Sequence, residues 1–292
     1  QNQFFKMIKI LIAVIFFIYG LHVGSSHIFP FDLIKLSYRY IKTTINGSKY
    51  SKNIEECELA QLKEIPFNST VIIGHVYGNQ SGRDGYIASN VENFLDKNID
   101  KIDKLIFTGD VFAEPSLKKW NTLHQQFSNS TQIYVAPGNH DIGTLPRYEI
   151  FNMSKFGFKE SLSINEDPHL IIENSESTNM LMNNSTIDLV NNTNQSTVYL
   201  FRHHVPIQEL VKVSNALYPT NQLLPYVKQF ADKFTEVENF VVVSGDHGLY
   251  DSRPSVTCSK YKNITFITNG IGGREGDTVV VLNNGKLSYL KM

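Results

Sequence analysis

A chain of 292 residues is long enough for one folded domain with an appendage, and 41 % hydrophobic with 12 % aromatic residues it can bury a sizeable core. The formal net charge of -1, with no cluster of Lys or Arg, gives no electrostatic reason to expect nucleic acid as a partner.

In chain order, the first feature is ILIAVIFFIYGLHVGSS between Lys9 and His27, which holds no Lys, Arg, Asp or Glu and follows Lys6 and Lys9. Its length lies at the short end of the ~17 to 25 residues that cross a bilayer, and the leading positive charges favour an inside N-terminus. Residues 1–26 therefore read as a signal anchor, or as a cleaved secretory signal given Gly20, Gly24, Ser25 and Ser26. Either reading puts the rest of the chain outside the cytoplasm: periplasmic or extracellular on a membrane anchor, or secreted. Residues 27–66 mix apolar and basic side chains and read as a juxtamembrane segment. Cys57 and Cys258 are the two cysteines; a disulfide between them and two ordinary thiols are both open. Asn-x-Ser/Thr sequons, among them those at Asn46, Asn68, Asn79, Asn129, Asn152 and Asn263, are read as unused, because a glycan at Asn79 would block the first motif described next.

From Phe67 onward, apolar strands alternate with helical patterns. Val71 to Asn79 (VIIGHVYGN) is a strand ending in polar residues, followed by helical spacing over Gly85 to Lys97. Leu105 to Phe112 (LIFTGDVF) and a helix over Leu117 to Phe127 come next, then TQIYV running into Ala136-Pro137-Gly138-Asn139-His140-Asp141. Asn174 to Ser196 reads as a polar surface excursion before VYLFRHHVP (Val198 to Pro206). Helical pattern over Leu210 to Phe234, broken by Pro219 and Pro225, precedes FVVVSGDHG (Phe240 to Gly248). The tail reads as a strand in ITFITNGIGG and a hairpin closed at Asn284-Gly285. Alternation of strand, loop, helix and strand predicts parallel strands. Open sheets of that kind carry their chemistry at the carboxyl ends of the strands, where this chain places Asp, Asn and His.

Taken together, these five strand ends resemble the calcineurin-like metallophosphoesterase family, whose motifs run Asp-x-His, Gly-Asp, Gly-Asn-His-Asp, His and Gly-His-x-His. The resemblance implies an α/β (α+β sandwich) fold over 67–292, two mixed β-sheets flanked by helices in four layers, preceded here by the N-terminal hydrophobic helix. It also implies a divalent metal cofactor (Mn, Fe or Zn) and hydrolysis of a phosphate ester by metal-activated water. Asp110 matches the carboxylate that bridges two metals, Asn139 an amide ligand and His203 an imidazole ligand. His140 matches the histidine that protonates the departing oxygen, with Asp141 holding its ring. His204 is a neighbour of the ligand, and Arg83 and Arg202 are candidates to clamp phosphate oxygens.

The first and last motifs depart from the family. Where it has Asp-x-His this chain has His75-Val76-Tyr77, and where it has Gly-His-x-His this chain has Gly245-Asp246-His247-Gly248. One end loses a carboxylate and gains an imidazole, and the other does the reverse. Tyr77 is a poor ligand at its ordinary pKa of about 10, which leaves it a substrate-facing role. Asp110, Asn139, His203 and Asp246 are then expected to form one firm metal site, with His75 and His247 keeping a second or acting on substrate. The substrate class is a phosphorylated small molecule, sugar, lipid or nucleotide. A hydrolase of another ester or anhydride on the same scaffold, and a non-catalytic binding member, are the alternatives.

Overall fold

The computed structural model describes residues 19, 55–78, 86–177, 182–204, 234, 236–246, 255–273 and 275–292. The leader apart from Tyr19, the segment 27–54, the helical pattern over Leu210 to Phe234 apart from Phe234 itself, Asn79, Arg83 and His247 lie outside these residues. Among the described residues no helix is long and apolar enough to cross a membrane.

Strands and helices alternate as the pattern predicts. β1 (Glu55–Glu56), β2 (Ala60–Gln61) and β3 (Ser69–Ile73) lead into α1 (Ser89–Asn98), β4 (Ile102–Phe107), α2 (Leu117–Phe127) and β5 (Gln132–Val135). Two helices, α3 (Asn139–Ile142) and α4 (Leu145–Met153), precede β6 (Ser161–Ile164), β7 (His169–Glu173), α5 (Asn184–Asn191) and β8 (Thr197–Arg202). β9 (Asn239–Ser244), β10 (Val256–Tyr261), β11 (Ile264–Asn269), β12 (Thr278–Asn283) and β13 (Lys286–Lys291) complete the order. The Ser116 hydroxyl caps α2 by accepting the Lys119 N–H at 3.2 Å, and the helix buries Trp120, Leu123 and Phe127, one apolar stripe at helical spacing.

One sheet orders its described strands β2-β13-β12-β3-β4-β5, the other β1-β10-β11-β9-β8-β7-β6. β3, β4 and β5 are mutually parallel, as are β7, β8, β9 and β11. Side chains alternate across each strand, so every buried strand feeds two cores. Val71, Ile73, Leu105 and Phe107 pack against Val91, Leu95, Trp120 and Phe151 of the flanking helices. Their neighbours Ile72 and Ile106 face the other way, onto Ile172, Phe201 and Val243 of the second sheet. On that sheet Ile171, Val198, Leu200 and Val242 look outward to Val190 of α5 and to Phe234. The result is helix, sheet, sheet and helix, the four layers the sequence implies. The tail closes as predicted: Asn284 and Gly285 both take positive φ, 48° and 70°, in the two-residue turn between β12 and β13.

Two assignments change. Residues 55–66 belong to the domain and not to a juxtamembrane segment: β1 pairs with β10, β2 with β13, Ile65 is buried, and Cys57 is disulfide-bonded to Cys258. The stretch from Asn174 to Ser196 is no mere surface excursion. It holds α5, and Asn174, Ser175, Asn183, Thr186 and Val190 are buried. Its polar side chains serve internal hydrogen bonds: Asn183 donates through Nδ2 to the Asn174 carbonyl at 2.8 Å and through its N–H to Glu173 Oε1 at 2.8 Å.

The disulfide closes a span of 201 residues and pins a two-residue edge strand that makes few contacts of its own. Replacing Cys57 and Cys258 together by Ala is expected to lower the unfolding free energy by ~2–5 kcal/mol, read from urea titrations of both proteins.

Candidate active site

Strand ends from both sheets meet at one edge, and they come so close that glycine is needed at the crossings. A Cβ on Gly245, after β9, would collide with the Thr108 carbonyl after β4. One on Gly109, whose φ is +89°, would strike the His203 ring. Backbone hydrogen bonds then fix the tips: His75 N–H donates to the Gly109 carbonyl at 3.0 Å, Tyr77 N–H to Asp110 at 3.2 Å, and Asp246 N–H to His203 at 2.9 Å.

Asp110 sits at the centre, buried, in the left-handed region at φ 53°. Its Oδ1 accepts the His140 N–H at 3.0 Å. On one side the His75 Nε2 lies 3.8 Å from Oδ2, and on the other the His203 Nε2 lies 3.5 Å from Oδ1. Each ring faces a carbonyl through Nδ1: Ile271 at 3.2 Å for His75, Thr108 at 3.1 Å for His203. A carbonyl only accepts, so Nδ1 carries a proton in both rings, and a ring that is neutral turns its Nε2 lone pair toward Asp110. Asn139 Oδ1 adds a further lone pair 3.2 Å from His203 Nε2.

Lone pairs and a carboxylate converging in a buried place repel unless a cation lies among them. A proton serves partly: burial would lower the pKa of His203, but the charges of Asp110 and Asp246 outweigh it and raise it. At His75 burial prevails over Asp110 and lowers it. The donors, imidazole nitrogens oriented by carbonyls and oxygens of Asp and Asn, suit a divalent transition metal. Among the described residues no three His, Cys, Asp or Glu side chains close into a finished cage. Asp246 has an exposed side chain whose charge acts on both His75 and His203. The predicted set is thus brought to one edge, with Asp110, Asn139 and His203 in mutual reach.

Four other predicted residues have different surroundings. Asp141 does not hold the His140 ring. Its carboxylate accepts the N–H groups of Gly138 at 2.9 Å, Val111 at 3.1 Å and Phe112 at 3.3 Å, stapling the loop after β5 to the loop after β4. Burial, reinforced by Asp110, pushes it up to about 7 against the pull of those amides. Arg202 cannot clamp phosphate: it is fully buried, 3.2 Å from the equally buried Glu173. His204 is buried too; its pKa is pushed down to about 2 by burial and by the charges of His203 and Arg202. The Ser175 hydroxyl accepts the His204 N–H at 3.2 Å and lies 3.0 Å from the ring's Nδ1. The His204 Nε2 lies 3.3 Å from the Glu176 carboxylate, an acceptor that favours the ring proton on that nitrogen. Tyr77 is buried with its ring 4.4 Å from His75 and 5.2 Å from His140.

Residues the motifs do not mark complete the surroundings. Asn269 Oδ1 accepts the Gly74 N–H at 2.8 Å, and Arg147 donates to the His140 carbonyl at 3.0 Å. Glu173, Ser175 and Glu176 follow HLII in β7, an apolar strand running into polar residues, the same signal as the other tips without the glycine.

The model of the calcineurin-like phosphoesterase family matches residues 75–255. No curated protein matches the chain. Among solved structures it is similar to Vps29 of Chaetomium thermophilum, at 10 % identity over 76 % of this chain and 85 % of that one, with a TM-score of 0.35. It is also similar to the phosphopantetheinyl hydrolase PptH of Mycobacterium tuberculosis, at 12 % identity over 72 % of this chain and 92 % of that one, with a TM-score of 0.40. The family match spans more than half of the chain and takes in His75, Asp110, Asn139, His203 and Asp246, and the chain belongs to the calcineurin-like phosphoesterase family.

Proposed function

We propose that the chain is a metal-dependent phosphoesterase acting on a phosphorylated sugar, lipid or nucleotide. The observation that carries this reading is the pair of Nε2 atoms turned on Asp110, each ring fixed by a carbonyl at its other nitrogen. Asp110, Asn139, His203 and Asp246 would hold one divalent ion (Mn, Fe or Zn), and His75 lies on the opposite carboxylate oxygen as the start of an altered second position. Such an ion supplies Lewis acidity, bringing the pKa of water toward ~7 and neutralising phosphate oxygens.

The chain's own residues do the rest. His140 is tethered by its main chain to Asp110, and its buried Nδ1 has no hydrogen-bond partner among the described residues. It is the side chain with a nitrogen to spare for a proton on the leaving oxygen. His75 and Tyr77 wall the site on the β3 side. Asp141 keeps the Asp110 and Asn139 loops in register through three amides. We place the domain outside the cytoplasm, anchored or secreted; the apolar leader and the Cys57–Cys258 disulfide support that location.

A second reading, a binding member without turnover, has one observation in its favour: no closed cage of three acidic or imidazole groups among the described residues. Assays on aryl phosphates and diesters with and without Mn or Zn, alongside elemental analysis, separate the two. Metal-dependent turnover is expected in the wild type and none in Asp110→Ala or Asn139→Ala, with their circular dichroism unchanged. Activity persisting in both variants would refute the assignment, and phosphate binding without turnover under any metal would favour the binding member. Asp141→Ala is expected to behave differently, losing about 3 kcal/mol or more of stability in urea, because it leaves three buried amides unpaired.

A further inference from the structure

Glu176 lies three residues beyond the end of β7, a strand outside the family motifs. β7 runs parallel to β8 and β9, with Leu170 opposite Tyr199 and Tyr199 opposite Val241. Residues past its carboxyl end therefore emerge at the edge where β8 delivers His203 and β9 delivers Asp246.

A buried relay aims the Glu176 carboxylate. Ser175 and His204 are nearly inaccessible, at 0 % and 2 % exposure, and the hydroxyl of Ser175 lies 3.0 Å from the near ring nitrogen of His204. The far nitrogen, Nε2, lies 3.3 Å from Glu176 Oε2, and the Glu176 side chain keeps 30 % of its exposure. The His204 ring packs edge-on against His203, 4.9 Å between centroids, so the relay stands directly beside the ligand histidine. Glu176 also feels the site: burial pushes its carboxyl up, His203 pulls it down, and Asp110 and Asp246 push it up further.

Together with the metal reading above, on which this rests, we infer that Glu176 is a further acidic residue of the cation pocket, acting through its charge from the His203 side and held there by His204 and Ser175. His75 stands in place of a carboxylate in the first motif and Asp246 in place of an imidazole in the last, which moves negative charge across the site, and Glu176 adds to the side that receives it. A carboxylate at the mouth strengthens the hold on a cation without needing to touch it.

The test is Mn²⁺ binding to the full chain by titration calorimetry. Glu176→Gln keeps the side chain's shape and removes its charge, and is expected to weaken Mn²⁺ binding about tenfold while the metal-free melting temperature stays put. Because the interaction is electrostatic and partly exposed, the gap between wild type and Glu176→Gln is expected to narrow in high salt, which a merely structural role would not produce. His204→Phe, which spares the carboxylate but removes the imidazole nitrogen beside it, is expected to show a smaller loss. Equal affinity in wild type and Glu176→Gln overturns the inference, and leaves the phosphoesterase reading standing if Asp110→Ala abolishes binding in the same experiment. A wild type that binds no Mn²⁺ overturns both.

Discussion

The site depends on an electrostatic conflict. Asp110 is buried between two imidazoles whose Nδ1–H groups donate to main-chain carbonyls, so with the rings neutral the carboxylate and the Nε2 lone pairs face one another across 3.5 and 3.8 Å. Folding alone leaves that arrangement unfavourable; positive charge resolves it. The structure invests further in the same spot, with Asp110 and His75 both at positive φ, a backbone region that non-glycine residues seldom occupy. A tight metal would release that conflict, and the binding energy would then count toward folding.

Holding the conflict in place requires the ends of two sheets to cross at backbone distance. Gly245 passes the Thr108 carbonyl where no Cβ fits, and Gly109 makes room for the ring of His203. Polar side chains then lock the crossing from behind. Asn269 takes the Gly74 amide and gives its own to the Thr278 carbonyl, and Asp277 accepts the amides of Gly272 and Gly273 beside the carbonyl that orients His75. Asp141 does the same between the loops after β4 and β5. These ties are buried and satisfied, which gives the site a rigid back wall and leaves its front to Asn139, Asp246 and Glu176.

What could be read from the sequence follows from periodicity. Strands β3, β8, β9 and β12 are buried on both faces and read as largely apolar runs, helix α2 shows its stripe at Trp120, Leu123 and Phe127, and the strand tips are marked by the glycines the crossing demands. Strands β1, β2, β6 and β10 lack that signal. They lie at or near sheet edges and carry polar residues, and β1 and β2 take their place from partners far along the chain. Orientation within a motif is equally hidden. His140 and Asp141 are neighbours in sequence, but in the helical turn of α3 successive side chains diverge by about 100°. The carboxylate therefore turns into the backbone while the imidazole turns to the site.

Arg202 shows how far a local rule reaches when it is applied to every residue of a strand. On β8 the side chains of Tyr199 and Phe201 enter the core between the sheets, while Val198 and Leu200 enter the outer one. If His203 continues the first series toward the site, Arg202 must continue the second. The same count on β7 puts Ile172 between the sheets and Ile171 outside, so Glu173 falls on the side of Arg202, and the two meet as a buried ion pair. A pair so enclosed is costly to break, because either partner left alone would be an unpaired charge in the interior. It braces the ends of β7 and β8 side by side, and that brace is what lets the next residues of each strand, Ser175 and Glu176 on one and His203 and His204 on the other, face each other across a fixed gap.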